Sequence, residues 1–197
     1  GYNKAIAAKE HLQLINSTIE CNAIETYLNE DNAALLIKNH DVVIDALDSI
    51  PVRFILQRAC KKEKIPLIHG AVESWYGQVS TILPGDDFLD KIYGTLADQI
   101  KQTPVSTISF SPSIISSIQV SEAVKIIIKR GTLLQNKLLI VDLLQTSFMD
   151  CLLYTSDAAD DLLCVDLGGR RIIKNKKKKK QYTQAEIDIN NNKPRTQ

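Results

Sequence analysis

The segment Val42-Val-Ile44 constrains the fold more than any other part of this 197-residue chain, because it is a continuous apolar strand that runs directly into a carboxylate, Asp45. A strand without polar alternation has to be covered on both faces, which is the condition of a parallel sheet flanked by helices. The neighbouring segments agree. Residues 5–14 carry helix formers with apolar side chains at helical spacing, and residues 18–24 alternate like a half-buried strand. Residues 32–38 predict a helix that Asn39 and His40 end, and Pro51 begins another that continues through Cys60. Ile65-Pro-Leu-Ile68 and residues 78–83 read as strands, the second stopped by Pro84-Gly85. Helix and strand in turn specify an α/β domain with a mostly parallel sheet and crossover helices.

Beyond Pro84 the sequence predicts a short helix over residues 86–93 and a long connection over 95–110. A strong helix follows, with Ser111 as N-cap, Pro112 at its first position, Lys129 and Arg130 complementing the dipole and Gly131 as C-cap. Residues 137–143 return as a strand, and Thr146-Ser-Phe-Met149 is placed to pair with it.

The formal net charge of +1 hides an uneven distribution. Residues 151–197 hold ten Lys or Arg against six Asp or Glu, leaving fourteen against seventeen in the first 150. A basic tail ordinarily points to nucleic acid, anionic lipid or a solvated run. A third reading is stronger here. Cys151-Leu-Leu-Tyr-Thr-Ser-Asp-Ala-Ala-Asp160, followed by Val165-Asp-Leu-Gly-Gly-Arg-Arg-Ile-Ile-Lys174, resembles the translation of a transposase-type sequencing-library adapter. The DNA TGT CTC TTA TAC ACA TCT GAC GCT GCC GAC encodes the first of these stretches, and the run Lys176 to Lys180 has the origin of a poly-A stretch. The expected organisation is a domain over 1–149, adapter read-through over 150–180, and an Asn-rich polar tail over 181–197 with no assigned function. No nucleic-acid or membrane partner is expected. No apolar run approaches the ~20 residues of a membrane helix, and the first residues lack an export signal, so a cytoplasmic chain is expected.

With the tail set aside, Cys21 and Cys60 remain, in different segments and without a Cys-x-x-Cys pair. No zinc site is expected, since a structural site needs about four ligands at short local spacings. Cys60 lies on an apolar helical stripe and reads as a small buried thiol. His11, His40 and His69 share no spacing that makes a metal site or a catalytic dyad, so each reads as a surface or capped core residue.

Four motifs occur in order: Gly1-Tyr-Asn-Lys4-Ala; Asp41-Val-Val-Ile-Asp45-Ala-Leu-Asp48-Ser49-x-x-x-Arg53; Pro66-Leu-Ile-His-Gly70-Ala with Gly77-Gln78-Val; and Ser117-Ile-Gln119-x-x-Glu122-Ala-x-Lys125. Together they resemble the later part of the MoeB/ThiF/HesA adenylyltransferases, bacterial relatives of ubiquitin-activating enzymes. The resemblance implies a Rossmann-like fold and adenylylation, with ATP and Mg, of the C-terminal Gly-Gly carboxylate of a ubiquitin-like sulfur-carrier protein, in molybdopterin, thiamine or related sulfur-transfer biosynthesis. It also implies a homodimer.

Residue by residue, Lys4 matches the family's triphosphate-contacting lysine, where a point cation stabilises phosphate charge. Asp48 matches the aspartate that serves magnesium and ATP, and both Asp48 and Asp45 follow a buried strand, where ligand crevices of α/β sheets lie. Asp48 is the first candidate and Asp45 the second; the competing role for Asp48-Ser49 is to cap the helix at Pro51. Arg53 matches a recurrent family arginine, with a helix-surface ion pair as its alternative. Gly77 and Gln78 match a Gly-Gln step and read as structural.

The chain departs from the family in three respects. The paired Cys-x-x-Cys motifs of many members are absent, and residues 95–113 contain no cysteine for covalent transfer. The family's Gly-rich phosphate loop precedes the Lys4 motif, so the resemblance implies a domain truncated on its N-terminal side and a chain inactive by itself. Two other readings compete: an NAD-binding Rossmann-type oxidoreductase, which the Val-Val-Ile-Asp-Ala segment would also suit, and a non-catalytic binding domain.

Overall fold

The computed structural model describes residues 2–94 and 107–152. They form α1 (Lys4–Ile15), α2 (Ala33–Ile37), β1 (Val43–Ile44), α3 (Ile50–Glu63), β2 (Leu67–Glu73), β3 (Tyr76–Ile82), α4 (Phe88–Tyr93), α5 (Phe110–Ile128), β4 (Lys137–Asp142) and β5 (Ser147–Leu152). The five strands make one sheet in the order β1-β2-β3-β4-β5.

The α/β class stands, but the described sheet is mixed rather than mostly parallel. Only β1 and β2 run parallel, with Val43 opposite Leu67, and they flank the crossover helix α3. The pairs β2·β3, β3·β4 and β4·β5 are antiparallel. The reason is local: Glu73 pairs with Tyr76 across the two-residue turn Ser74-Trp75, and Ser74 supplies the positive φ of 54° that such a turn needs. A tight turn can join only antiparallel strands. The strand expected at 65–68 therefore starts at Leu67 and runs on to Glu73 instead of ending at Ile68. Residues 18–24 form no strand, and Ile19 and Ile24 are exposed. Alternation alone makes no strand where no sheet edge receives its backbone bonds.

Alternate residues of the sheet face two helical layers. Leu67, Ile82, Leu138 and Ile140 join Ala33 and Ile37 of α2, Leu56 and Cys60 of α3, and Phe88 and Leu89 of α4 in one apolar cluster. Ile68, Val79 and Val141 pack against Ile115 and Ala123 of α5 in the other. β5 carries the pairing through Cys151 and Leu152, two residues beyond Asp150.

The close seat of α5 depends on two glycines of the hairpin. A Cβ on Gly70 would overlap the amide of Gln119, and one on Gly77 would overlap the side chain of Ile115. Through the opening at Gly70, Gln119 Nε2 donates to the carbonyls of Asp45 (2.8 Å) and Ile68 (3.1 Å). One turn along, the buried Glu122 carboxylate accepts from Thr81 Oγ1 (2.6 Å) and Leu134 N (2.8 Å) and pairs with Lys125. Those partners offset the cost of burying its charge.

Both long helices stop on a lysine in the left-handed conformation, Lys64 at φ 57° and Lys129 at φ 53°. Each end closes with Schellman-type bonds, Ile65 N to Cys60 O (3.0 Å) and Arg130 N to Lys125 O (3.2 Å). The C-cap of α5 thus falls on Lys129, and Gly131 (φ 91°) turns the chain two residues later. Its N-cap is Ser109 rather than Ser111, whose hydroxyl donates instead to Ser74 O (2.6 Å) and fastens the helix to the hairpin turn.

Gly70→Ala is expected to displace Gln119 and take its amide from the buried carbonyl of Asp45, lowering unfolding free energy by about 1–3 kcal/mol. Urea denaturation measures it, with Gln119→Ala as the second background: there Gly70→Ala should cost much less, and an equal cost in both backgrounds would remove the close-approach explanation.

Candidate functional site

The carboxyl end of β1 is built around the Asp45 side chain, which is 1% exposed. Asp45 N completes the ladder to Ile68 O (2.9 Å) as the strand ends. Asp45 Oδ1 then accepts from Leu47 N (2.9 Å), a side-chain turn of the kind Asp favours. Oδ2 lies 3.2 Å from Arg53 Nε and 2.8 Å from His69 Nδ1. The Arg53 Nε–H is not aimed along a hydrogen bond, so its contact with Asp45 is one of charge. The rest of the guanidinium is directed: Nη2 donates to the carbonyls of Leu47 and Gly70, and Nη1 donates to the Tyr93 hydroxyl (3.3 Å).

The network continues across the sheet. Gln78 Nε2 donates to the Tyr93 hydroxyl (2.9 Å) and faces His69 Nε2 (3.1 Å). Amide hydrogens on that side and a carboxylate on the other assign the neutral tautomer of His69, with the proton on Nδ1. Burial pushes the His69 pKa below its ordinary value; Asp45 opposes this shift and the nearby Arg53 charge adds to it. Burial likewise raises the Tyr93 phenol, against the pull of Arg53.

The sequence candidates fall into two groups. Asp45 and Arg53 are brought together in the buried cluster, and both are committed to protein partners. Asp48 is exposed in the segment between β1 and α3, directly after the peptide of Leu47 that Asp45 and Arg53 hold. Ser49, at the N-cap of α3, makes no side-chain capping bond. Lys4 is exposed at the start of α1, a helix with no buried residue. An exposed carboxylate after a parallel strand suits magnesium, a hard cation bound through one or two carboxylates together with phosphate oxygens. Lys4 is a solvated cation of the kind that meets phosphate as a point charge.

Cys60 is buried, its thiol pushed up to about 12 by burial with a smaller contribution from Asp45, which leaves it poorly nucleophilic. Cys21 is half-exposed in the unpaired segment before α2. The cysteine-free stretch 95–113 falls partly outside the described residues. Among the described residues no three His, Cys, Asp or Glu side chains gather as a metal cluster. Three residues of the network were invisible as such in the sequence: His69, Gln78 and Tyr93. The available signal was a histidine inside the apolar run Pro66-Leu-Ile-His, where an imidazole needs a partner. A groove of about 640 Å³ lies elsewhere, against α3 and α4, where Lys61 pairs with Asp87 (2.7 Å).

Because His69 is held neutral, the unfolded chain binds a proton at this position that the fold refuses once pH falls below about 6.5. Its contribution to stability is therefore intact above that pH and is lost as pH falls through it. Unfolding free energies from urea titrations between pH 7.5 and 5.5 should decline, by at most about 1.4 kcal/mol per pH unit from this residue. His69→Asn, less stable throughout, should show the flatter profile; identical profiles would mean that His69 is not the titrating group.

Residues 1–162 match the pattern of the ThiF family. The chain is 28% identical over 154 residues to the SAMP-activating enzyme E1 of Haloferax volcanii, covering 75% of this chain and 56% of that protein. It is 33% identical over 144 residues to the molybdopterin-synthase adenylyltransferase of Haemophilus influenzae, covering 71% and 58%. Among solved structures, E. coli MccB with ATP matches at a TM-score of 0.66 and 16% identity, covering 84% of this chain and 51% of that one. PaaA matches at 0.63 and 17%, covering 78% and 56%. These two likenesses concern the fold. The chain spans little more than half the length of these two relatives. With the family pattern running over most of its length and the α/β fold shared with solved structures, the chain belongs to the ThiF family.

Proposed function

We propose that the full-length protein uses ATP and magnesium to adenylate the C-terminal glycine carboxylate of a ubiquitin-like sulfur-carrier protein. The observation that carries this reading is the contrast between two carboxylates on one short segment. Asp45 is buried, while Asp48 is exposed to solvent beyond the carboxyl end of a parallel strand. The names of the relatives supply the reaction class, since they include a molybdopterin-synthase adenylyltransferase, a sulfur carrier protein adenylyltransferase and a SAMP-activating enzyme E1.

In this reading Asp48 holds magnesium and Lys4 neutralises phosphate charge. The metal would offset charge on the triphosphate as pyrophosphate leaves. Arg53 and Asp45 act one layer below, fixing the peptide that precedes Asp48. We place the reaction in the molybdopterin, thiamine or a related sulfur-transfer pathway, in a cytoplasmic homodimer. No described helix is long and apolar enough to cross a membrane.

Carrier-dependent exchange of pyrophosphate into ATP tests the assignment. Asp48→Ala is expected to reduce exchange by about 10²- to 10³-fold, the usual cost of removing one well-placed electrostatic group. Lys4→Ala should cost about 10- to 100-fold, the range of a single charged hydrogen bond. Near-normal exchange in a folded Asp48→Ala protein would reduce Asp48 to a surface residue.

A further inference from the structure

We propose that His69 is a positioning residue for Asp48, acting through Asp45 and Arg53 on the peptide of Leu47. The inference rests on the reading of Asp48 as the magnesium-holding carboxylate. It starts from a buried group that the proposed chemistry does not use. His69 is wholly inside the protein, on β2, a strand that contributes no candidate ligand.

The chain of contact is short and directional. His69 Nδ1 donates to Asp45 Oδ2 at 2.8 Å, and that same oxygen is the one facing Arg53 Nε. A carboxylate held at one oxygen cannot turn, so its second oxygen stays on Leu47 N (2.9 Å). The guanidinium, aligned by the carboxylate and by the Tyr93 hydroxyl, reaches Leu47 O. The backbone of Leu47 is thereby held on both sides, its N–H by Asp45 and its carbonyl, part of the peptide that joins it to Asp48, by Arg53. The plane of the peptide leading into Asp48 is restrained, which narrows the directions its side chain can take. Gln78 completes the arrangement from the far side, because its donor on Nε2 keeps the His69 proton on Nδ1. A residue that orients a ligand through a hydrogen-bonded intermediary influences metal affinity without touching the metal.

The test uses the full-length protein and carrier-dependent pyrophosphate exchange with magnesium titrated. His69→Leu, which fills the space without a donor, should raise the magnesium concentration for half-maximal exchange by about 10- to 100-fold. His69→Asn, which keeps an N–H near the place of Nδ1, should restore most of it. A double-mutant cycle isolates the route: His69→Leu added to Asp48→Asn should cost much less than His69→Leu alone. Equal fold losses in both backgrounds, or an unchanged magnesium dependence in His69→Leu, would overturn the proposal while leaving the Asp48 reading intact. Near-normal exchange in Asp48→Asn would instead overturn that reading and this one with it. Should His69→Leu fail to fold, Gln78→Met takes its place in the same cycle with a smaller expected shift. The imidazole nitrogen resonances of His69 in the unmodified protein give an independent check. A protonated Nδ1 and a bare Nε2 at neutral pH are expected, and the opposite tautomer would defeat the proposal.

Discussion

The arrangement of this domain depends on keeping the charge of Asp45 satisfied where water does not reach it. Burying a carboxylate is tolerable only with charge and hydrogen-bond partners, and removing one such partner typically costs about 3–5 kcal/mol. Here the partners come from separate elements: Arg53 from α3, His69 from β2 and the backbone of Leu47. Tyr93 of α4 and Gln78 of β3 then hold those partners in place. The main-chain carbonyl of the same residue is taken by Gln119 from α5, on the opposite layer. One residue is thus fixed from both helical layers at the point where the parallel strand hands over to the exposed segment.

The second buried carboxylate, Glu122, does for the α5 layer what Asp45 does for the other. It binds a hydroxyl of β3, the backbone before β4 and Lys125 of its own helix. Polar clusters of this sort set register, because a one-residue slip of β2 would turn His69 away from Asp45 and a slip of β3 would turn Thr81 away from Glu122, costing each carboxylate one of its partners. The apolar clusters alone would tolerate more than one arrangement. The two carboxylates, one on each side, leave a single one.

Much of the chain could be read from residue pattern. The start of a helix beside Pro51, the ending at Asn39-His40 and the pairing of 146–149 with the preceding strand all follow from local chemistry that the fold respects. The apolar run at Val42-Val-Ile44 gives the expected parallel strand, but one of two residues whose Ile44 is exposed, so it is not covered on both faces. Gly77 reads in the sequence as a structural glycine, and it lies where Ile115 comes too close for a side chain; Gly70 carries no such signal, and only the seat of Gln119 explains it. Ser111 has the chemistry of an N-cap but spends its hydroxyl on a neighbouring turn. The family resemblance ranks Asp48 above Asp45, but residue pattern does not show that Asp45 is the enclosed one, which the three-dimensional position of His69 and Arg53 decides. The motif Gln119-x-x-Glu122 could be recognised as a pattern, while its purpose of reaching through the gap above Gly70 is a property of packing.

The spacing of these contacts along the chain carries a consequence for how the protein comes into being. Arg53 and Tyr93 are 40 residues apart, Thr81 and Glu122 are 41 apart, and Gln119 reaches Asp45 across 74. Each closes a long loop whose entropy is lost before the contact returns anything. The hairpins β2·β3 and β4·β5 can form from neighbours, but the segment bearing Asp48 acquires its shape only when α3, α4 and α5 have all docked. During synthesis, the ribosome must therefore deliver α5 before the end of β1 is complete, and the region proposed to meet nucleotide is among the last parts of the domain to assemble.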